Sequence, residues 1–212
     1  MTLKDLWYTL EHILRDKNIE VKIDQLNRYL DFATQELMNA VYGKTGEQHG
    51  YETEQQITDD FLPFKTVSTI SLTNGIGSLP DDYWHKSKME ITVSGVEIEF
   101  VTDKECVRRR NNSITQPTTT YPIVELRNGE FTVYPTTITS VIFTYLKKTT
   151  PNIVLKTEND IQVYDANEST ELLWNTVDKY IDTIRIILGY LNIPMSNEQI
   201  LAYTENKIKE NN

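Results

Sequence analysis

The hydrophobic pattern of this chain changes period twice. Leu3, Leu6, Trp7, Leu10, Ile13 and Leu14 recur at three and four, which predicts a helix with one buried stripe. Thr2 and Asp5 stand where an N-cap and its N3 partner belong. From Asp24 a second helix places Leu26, Tyr29, Leu30, Ala33, Leu37, Ala40 and Val41 on one face and stops at Gly43. The short connection from Asn18 to Lys22 makes the two an antiparallel pair. Beyond Phe61 the period becomes two. "KTVSTISL" alternates Val67, Thr69 and Ser71 against Ser68, Ile70 and Leu72, and "MEITVSGVEIEFV" continues around a turn at Ser94 and Gly95. In "YPIVELRNGEFTVYP" two apolar runs flank Asn128-Gly129, which predicts a hairpin with a type I′ turn. "SVIFTYL" reads as a further strand, and "NIVL" and "DIQVY" as edge strands. Between strands, "VTDKECVRRRNN" predicts a helix of about two turns, with Thr102 and Glu105 as a capping box.

Helical spacing returns near Glu168 or Ser169, where Leu172, Leu173, Val177, Ile181, Ile184, Leu188 and Leu191 form a stripe that Pro194 ends. Ile186 and Ile187 widen it, so burial from more than one side is expected. Ser196 to Gln199 is another capping box and opens a last helix carrying Ile200, Leu201, Thr204 and Ile208. Neither terminal pair has enough partners alone, so the two must pack together. The expected fold class is α+β: residues 1–50 and 166–212 form a small helical bundle, and 60–165 form an inserted antiparallel β-rich module with one short helix near 102–111.

Composition narrows the function classes. With 31 acidic against 21 basic residues, the net charge is −10 over 212 residues, which disfavours a surface built to grip nucleic-acid phosphates. The first residues lack the continuous apolar run of a signal peptide, no segment is long enough to span a membrane, and no membrane partner is expected. Cys106 is the single cysteine, which rules out an intrachain disulfide and suggests a reducing compartment. Beside "VRRR" it could be an activated thiolate, but a half-buried helix residue is the favoured reading.

Candidate chemistry is sparse. "GKTG" lacks the spacing and preceding strand of a phosphate loop, and the surrounding "YGKTGEQHGYETEQQITDD" reads as an exposed loop. His12, His49 and His85 fall in separate segments without metal-ligand spacing, and His12 reads as a polar residue on the exposed side of its helix. Asp59 and Asp60 read as solvated loop charge. In "SLPDDYWHKSKMEI" Asp81, Asp82 and His85 could form a carboxylate-oriented base, yet no nucleophile motif accompanies them. The favoured reading is a turn at a strand exit: Pro80 and Asp81 redirect the chain and Tyr83 and Trp84 anchor it. Arg108, Arg109 and Arg110 complement a helix C-terminus, or else meet a partner's carboxylates or a phosphate backbone.

Several segments together resemble one family. "GIGSLPDDYWHKSKM", "VEIEFVTDKECVRRR", "QPTTTYPIVELRNGEFTVYPTTITSVIFTYLKKTTP" and "ELLWNTVDKYIDTIRIILGYLNI" are similar, in order, to the turn, strand with capped helix, hairpin region and returning long helix of the head-to-tail connector proteins of tailed bacteriophages, the adaptor or ring proteins beneath the portal. The Asn-, Ile-, Thr- and Lys-rich composition suggests an AT-rich genome such as that of a crAss-like short-tailed phage. The resemblance implies a non-enzymatic virion protein of the tail or neck, made in the host cytoplasm and needing no cofactor. It would be a homo-oligomeric ring, of about twelve subunits as the heterologous closure of a ring permits, docked on the portal and other connector rings and passing DNA transiently through its channel. Tyr83, Trp84, Arg108, Arg109 and Arg110 are its expected interface residues, carried by the matching motifs. The alternative is a small soluble binding module without catalytic activity.

Overall fold

The computed structural model describes residues 2–43, 59–158, 161–174 and 176–210, apart from the side chains of 205–210. It has the expected α+β class and divides into two compact units, residues 1–63 with 149–212 and residues 64–148. The predicted loop "YGKTGEQHGYETEQQITDD", with "GKTG" and His49, falls almost wholly on residues 44–58, outside the described residues.

The first unit holds the helices α1 (Leu3–Asp16), α2 (Ile23–Gly43), α4 (Val177–Tyr190) and α5 (Asn197–Glu210). In α1 the Thr2 hydroxyl accepts from the Asp5 N–H and the Asp5 carboxylate accepts from the Thr2 N–H, so the capping box is complete. Its stripe of Leu3, Leu6, Leu10, Ile13 and Leu14 is buried. α4 packs on α2, and α5 packs on α1 and α4, so the two ends of the chain close on each other. The α5 box forms as spaced: Ser196 N–H donates to Gln199 Oε1 and Gln199 N–H to Ser196 Oγ.

The C-terminal long helix begins at Val177, well after Glu168. The intervening residues spend their polar groups elsewhere. Thr170 forms a backbone bridge with Asn152, Ser169 Oγ accepts from the Val154 N–H at 2.9 Å, and the Glu171 carboxylate accepts from the Leu3 N–H and the Tyr164 hydroxyl, each at 3.0 Å. Those bonds compete with helical ones; of the expected stripe Leu172 is buried, but Leu173 is half-buried and Val177 exposed. The same bonds explain a corrected boundary. The hairpin β8 (Leu155–Glu158) and β9 (Ile161–Tyr164), expected inside the β module up to residue 165, belongs to the helical unit. Asn27 of α2 also holds this segment, donating to the Ile153 carbonyl and accepting from its N–H. Asp60, expected as solvated loop charge, is instead half-buried, its side chain 8% exposed and paired with Lys179 at 3.2 Å.

The second unit contains two sheets. The first is three-stranded and antiparallel, in the order β1 (Lys65–Ser71), β7 (Ser140–Lys147), β3 (Tyr83–Ile91). The other runs β2 (Ile76–Ser78), β6 (Glu130–Tyr134), β5 (Ile123–Arg127), β4 (Glu99–Val101). Here the all-antiparallel expectation fails, since β4 and β5 are parallel, joined through the helix α3 (Asp103–Arg110). A parallel pair needs such a crossover. Both sheets contribute to one core of Leu72, Met89, Ile91, Ile98, Val124, Phe131, Val133, Ile138, Val141, Phe143 and Tyr145.

The β5–β6 hairpin is present, with Arg127 opposite Glu130, but only Gly129 has positive φ, so its turn is not type I′. Positive φ at two successive residues occurs at Asn74-Gly75, which closes the tight turn between Thr73 and Ile76. A Cβ at Gly75 would sit 2.6 Å from the Val133 carbonyl oxygen.

Candidate functional site

The five residues expected at an interface lie in the β unit, but on different sheets. Tyr83 and Trp84 open β3, one of the two outer strands of the three-stranded sheet. The arginines end α3, beside the sheet that contains β4 and β5.

The turn before β3 spans Pro80 to Tyr83 and is closed by the Tyr83 N–H on the Pro80 carbonyl at 3.0 Å. The turn leads out of β2, which ends at Ser78, and into β3, so Pro80 and Asp81 stand at a strand exit as expected, while the rest of the stretch from Tyr83 to Ile91 is strand. Asp82 is an anchor beside the expected Tyr83 and Trp84. Its carboxylate accepts the Tyr145 hydroxyl at 2.7 Å, and its carbonyl accepts the Lys148 N–H at 2.7 Å. Half-buried Tyr83 packs its ring 5.7 Å from Phe143 and 6.0 Å from Tyr145. Trp84 is the extra residue of a bulge, because Tyr83 pairs with Lys147 and His85 with Leu146; its ring lies 4.1 Å from that of His85. Burial lowers the His85 pKa, the opposite of what an orienting carboxylate would do. A carboxylate–histidine base at this turn thus has its Asp82 member already committed to Tyr145 and its histidine shifted toward the neutral form.

At α3, Thr102 Oγ1 accepts from the Glu105 N–H, but the return half of the expected box is not made. The Glu105 carboxylate is taken by Arg108 at 2.8 Å and by Arg109 Nε at 2.7 Å. Arg109 also forks onto Glu99 of β4, at 2.6 and 2.9 Å. This bidentate geometry is the strongest form of side-chain ion pair and fixes α3 to the sheet. The hydrogen bonds from Arg109 hold Glu99 below its usual carboxylate range, Arg108 and Arg109 do the same to Glu105, and Arg109 itself is raised. Arg110 places its guanidinium 4.3 Å from the centre of the Tyr134 ring and donates to that hydroxyl at 3.0 Å. The triplet is therefore not equivalent: Arg109 is an internal clamp, while Arg108 and Arg110 are exposed and keep donors available.

One turn before Arg109 and Arg110 on the same side of α3, Cys106 is completely buried, more so than expected. Burial pushes its thiol pKa up and a hydrogen bond to Glu125 adds to this, so the residue is not an activated thiolate. Glu125 is the residue that sequence reading missed. It sits 4% exposed in β5 and pairs with Arg127 at 3.3 Å. The E-x-R spacing, which puts both on one face of a strand, was its available signal.

His12 is half-buried and not on a bare face: Arg15 Nη2 lies 2.9 Å from its Nδ1 and the Tyr203 ring meets it edge-on. Among the described residues no cluster of His, Cys, Asp and Glu could hold a metal ion, and no helix is long and apolar enough to cross a membrane. No protein-family model matches the chain, and no curated protein matches it.

Proposed function

We propose that this chain is a structural virion protein, one subunit of a ring in the head-to-tail connector of a tailed phage, docked on the portal and continuing the channel for DNA. The observation that carries the reading is the nested architecture: one helical unit assembled from both ends of the chain, with a β unit inserted between them. The expected connector motifs follow the same order along it. The ring is non-enzymatic and needs no cofactor. A closed ring requires two different complementary faces on each subunit, and two separately packed units can supply them. Net charge −10 suits a wall that DNA slides past.

Within this reading Arg108 and Arg110, the outward members of the triplet, contact a neighbouring subunit or ring, whereas Arg109 acts inside the subunit. Mass photometry and negative-stain microscopy of the purified protein, alone and with its portal, test the proposal. Discrete rings are expected in at least one condition; a strict monomer in both refutes it. The double variant Arg108→Glu/Arg110→Glu should lose rings while keeping its helical circular dichroism, and unchanged assembly would remove these two arginines from the interface.

A further inference from the structure

The outward faces of two helices, one in each unit, carry an apolar residue between two opposite charges, in opposite order. On α2, Arg28, Phe32 and Glu36 follow at intervals of four, which stacks them along one face; all three are exposed, Phe32 at 51%. On α3, Asp103, Val107 and Arg110 follow at four and three, again on one exposed face, with Val107 at 54%. From N- to C-terminus α2 presents cation, apolar, anion, and α3 presents anion, apolar, cation. The two charges are about 12 Å apart along α2 and about 10.5 Å apart along α3, a mismatch that a long arginine side chain absorbs.

The last charge of each triplet is held in place by a tyrosine. Glu36 accepts the Tyr190 hydroxyl of α4 at 2.9 Å, and the Tyr190 ring stacks on Tyr29 at 5.6 Å and meets Phe32 edge-on at 6.3 Å. Arg110 lies over Tyr134 and donates to its hydroxyl. Exposed aromatic and arginine side chains are the typical anchors of an interface, and groups already positioned lose less freedom when they dock. Charge also separates the units. Residues 64–148 carry ten basic and nine acidic side chains, while residues 1–63 with 149–212 carry eleven and twenty-two. Two helical units face to face would therefore repel, whereas a β unit meeting a helical unit would not.

We propose that α3 of one copy packs parallel to α2 of a neighbouring copy, with Asp103 on Arg28, Val107 on Phe32 and Arg110 on Glu36. Antiparallel packing would set Arg110 against Arg28 and Asp103 against Glu36, so the order of charges fixes the direction. The matching order and spacing lie within this one sequence, and they select a second copy as the occupant of both faces. The contact is heterologous, one face on the β unit and its complement on the helical unit, so it repeats from copy to copy. It deepens, and rests on, the ring reading by naming the surface that Arg110 meets.

Charge exchange tests the pairing. Arg110→Glu and Glu36→Arg should each abolish the rings seen by negative-stain microscopy while keeping the helical circular dichroism, and the two substitutions in one chain should restore them, because every contact then pairs Glu with Arg again. Phe32→Cys/Val107→Cys should give a ladder of dimer, trimer and larger species on a non-reducing gel after mild oxidation; wild type and each single variant, which carry Cys106, should give none. Should Arg110→Glu fail to fold, Glu36→Arg and the ladder still decide. Absence of the ladder overturns the contact, and rings without it leave the connector reading standing. Rings that persist in both single charge variants, or a folded double variant that regains no assembly, also overturn it. A ladder from a protein that never closes into rings supports this contact and refutes the ring.

Discussion

Asn27→Ala should destabilise the helical unit by about 1.5 kcal/mol. The Asn27 amide does what a neighbouring strand would do, donating to the Ile153 carbonyl at 2.9 Å and accepting from its N–H at 2.8 Å. Ile153 is 1% exposed, so truncation strands one donor and one acceptor in a nearly dry site. Each stranded group costs about 1–3 kcal/mol. Asn27 is only half-buried and water can enter where its side chain was, which favours the low end, about 2 kcal/mol for the two groups. Alanine in place of asparagine within α2 returns about 0.5 kcal/mol of helix propensity. Urea denaturation monitored by tryptophan fluorescence reads the net loss, since Trp7 and Trp174 lie in the helical unit. NMR-detected hydrogen exchange should show the Ile153 amide losing protection while the β5–β6 hairpin keeps its own. Asn27→Asp serves as the control: it retains the acceptor but opposes a carboxylate to the Ile153 carbonyl, so its deficit should shrink in mild acid, where a protonated carboxyl can donate. An alanine variant within about 0.3 kcal/mol of wild type, or an unchanged Ile153 exchange rate, would refute the account of this clasp, since removing a single buried hydrogen bond already costs more.

Other outcomes follow from single sites. Gly77→Ala places a Cβ 2.6 Å from Phe131 Cζ and 2.7 Å from Leu72 Cδ2, so overpacking should cost about 1–3 kcal/mol in denaturant melts, and a neutral result would show that these side chains can move aside. The Tyr180 hydroxyl, 3% exposed and donating to the Leu172 carbonyl, has its pKa pushed up to about 12, first by burial and then by the Glu171, Asp5 and Tyr164 charges. Its folded pKa lies above the unfolded value, so this stabilisation is complete below pH ~10 and is lost as pH rises through the folded pKa, about 2–3 kcal/mol in total. Wild type and Tyr180→Phe should therefore converge in stability at alkaline pH, and parallel pH profiles would contradict the assignment. Cys106 should be silent toward a thiol reagent in the native protein and react fully in urea; rapid modification without denaturant would mean that α3 does not bury it.

What could be read along the chain was what local spacing encodes. The α1 and α5 capping boxes, the α1 stripe and the Asn128-Gly129 hairpin each depend on residues within a few positions of one another, whereas the C-terminal stripe holds only in part, since Val177 is exposed. The errors came where a distant partner decides. Val177 opens α4 because Ser169, Thr170 and Glu171 are already bonded to Val154, Asn152 and Leu3, and Leu3 lies at the far end of the chain. Asp60 looked like loop charge because Lys179, its partner, is more than a hundred positions away. Glu105 was expected to complete a cap, yet two arginines compete for its carboxylate and win, leaving only half the box. The turn rule was sound but pointed at one Asn-Gly and missed the other: Asn74-Gly75 has the two positive φ values of a type I′ turn.

Acid, base and aromatic residues crowd together in the stretch from Ser78 to Ile91. Its place at a sheet edge accounts for that crowding without chemistry. Asp82 and Tyr83 tie the strand entry to Tyr145 and Phe143, which an aromatic core two strands wide requires. Trp84 and Ser87 are the surplus residues of two bulges, and Lys86, Lys88 and Glu90 put charge along the same strand. Every one of these features makes β3 a poor template for another strand. Lys86 even turns the requirement to use, its ammonium lying 4.5 Å from the centre of the Phe100 ring. The other side of the same sheet shows what the absence of such features leaves: β1, uncharged beyond Lys65 and regular throughout its register with β7. One sheet therefore carries two unlike edge strands, β3 broken by two register shifts and lined with charge, β1 in unbroken register with β7, and the crowding of the motif follows from its place on the first.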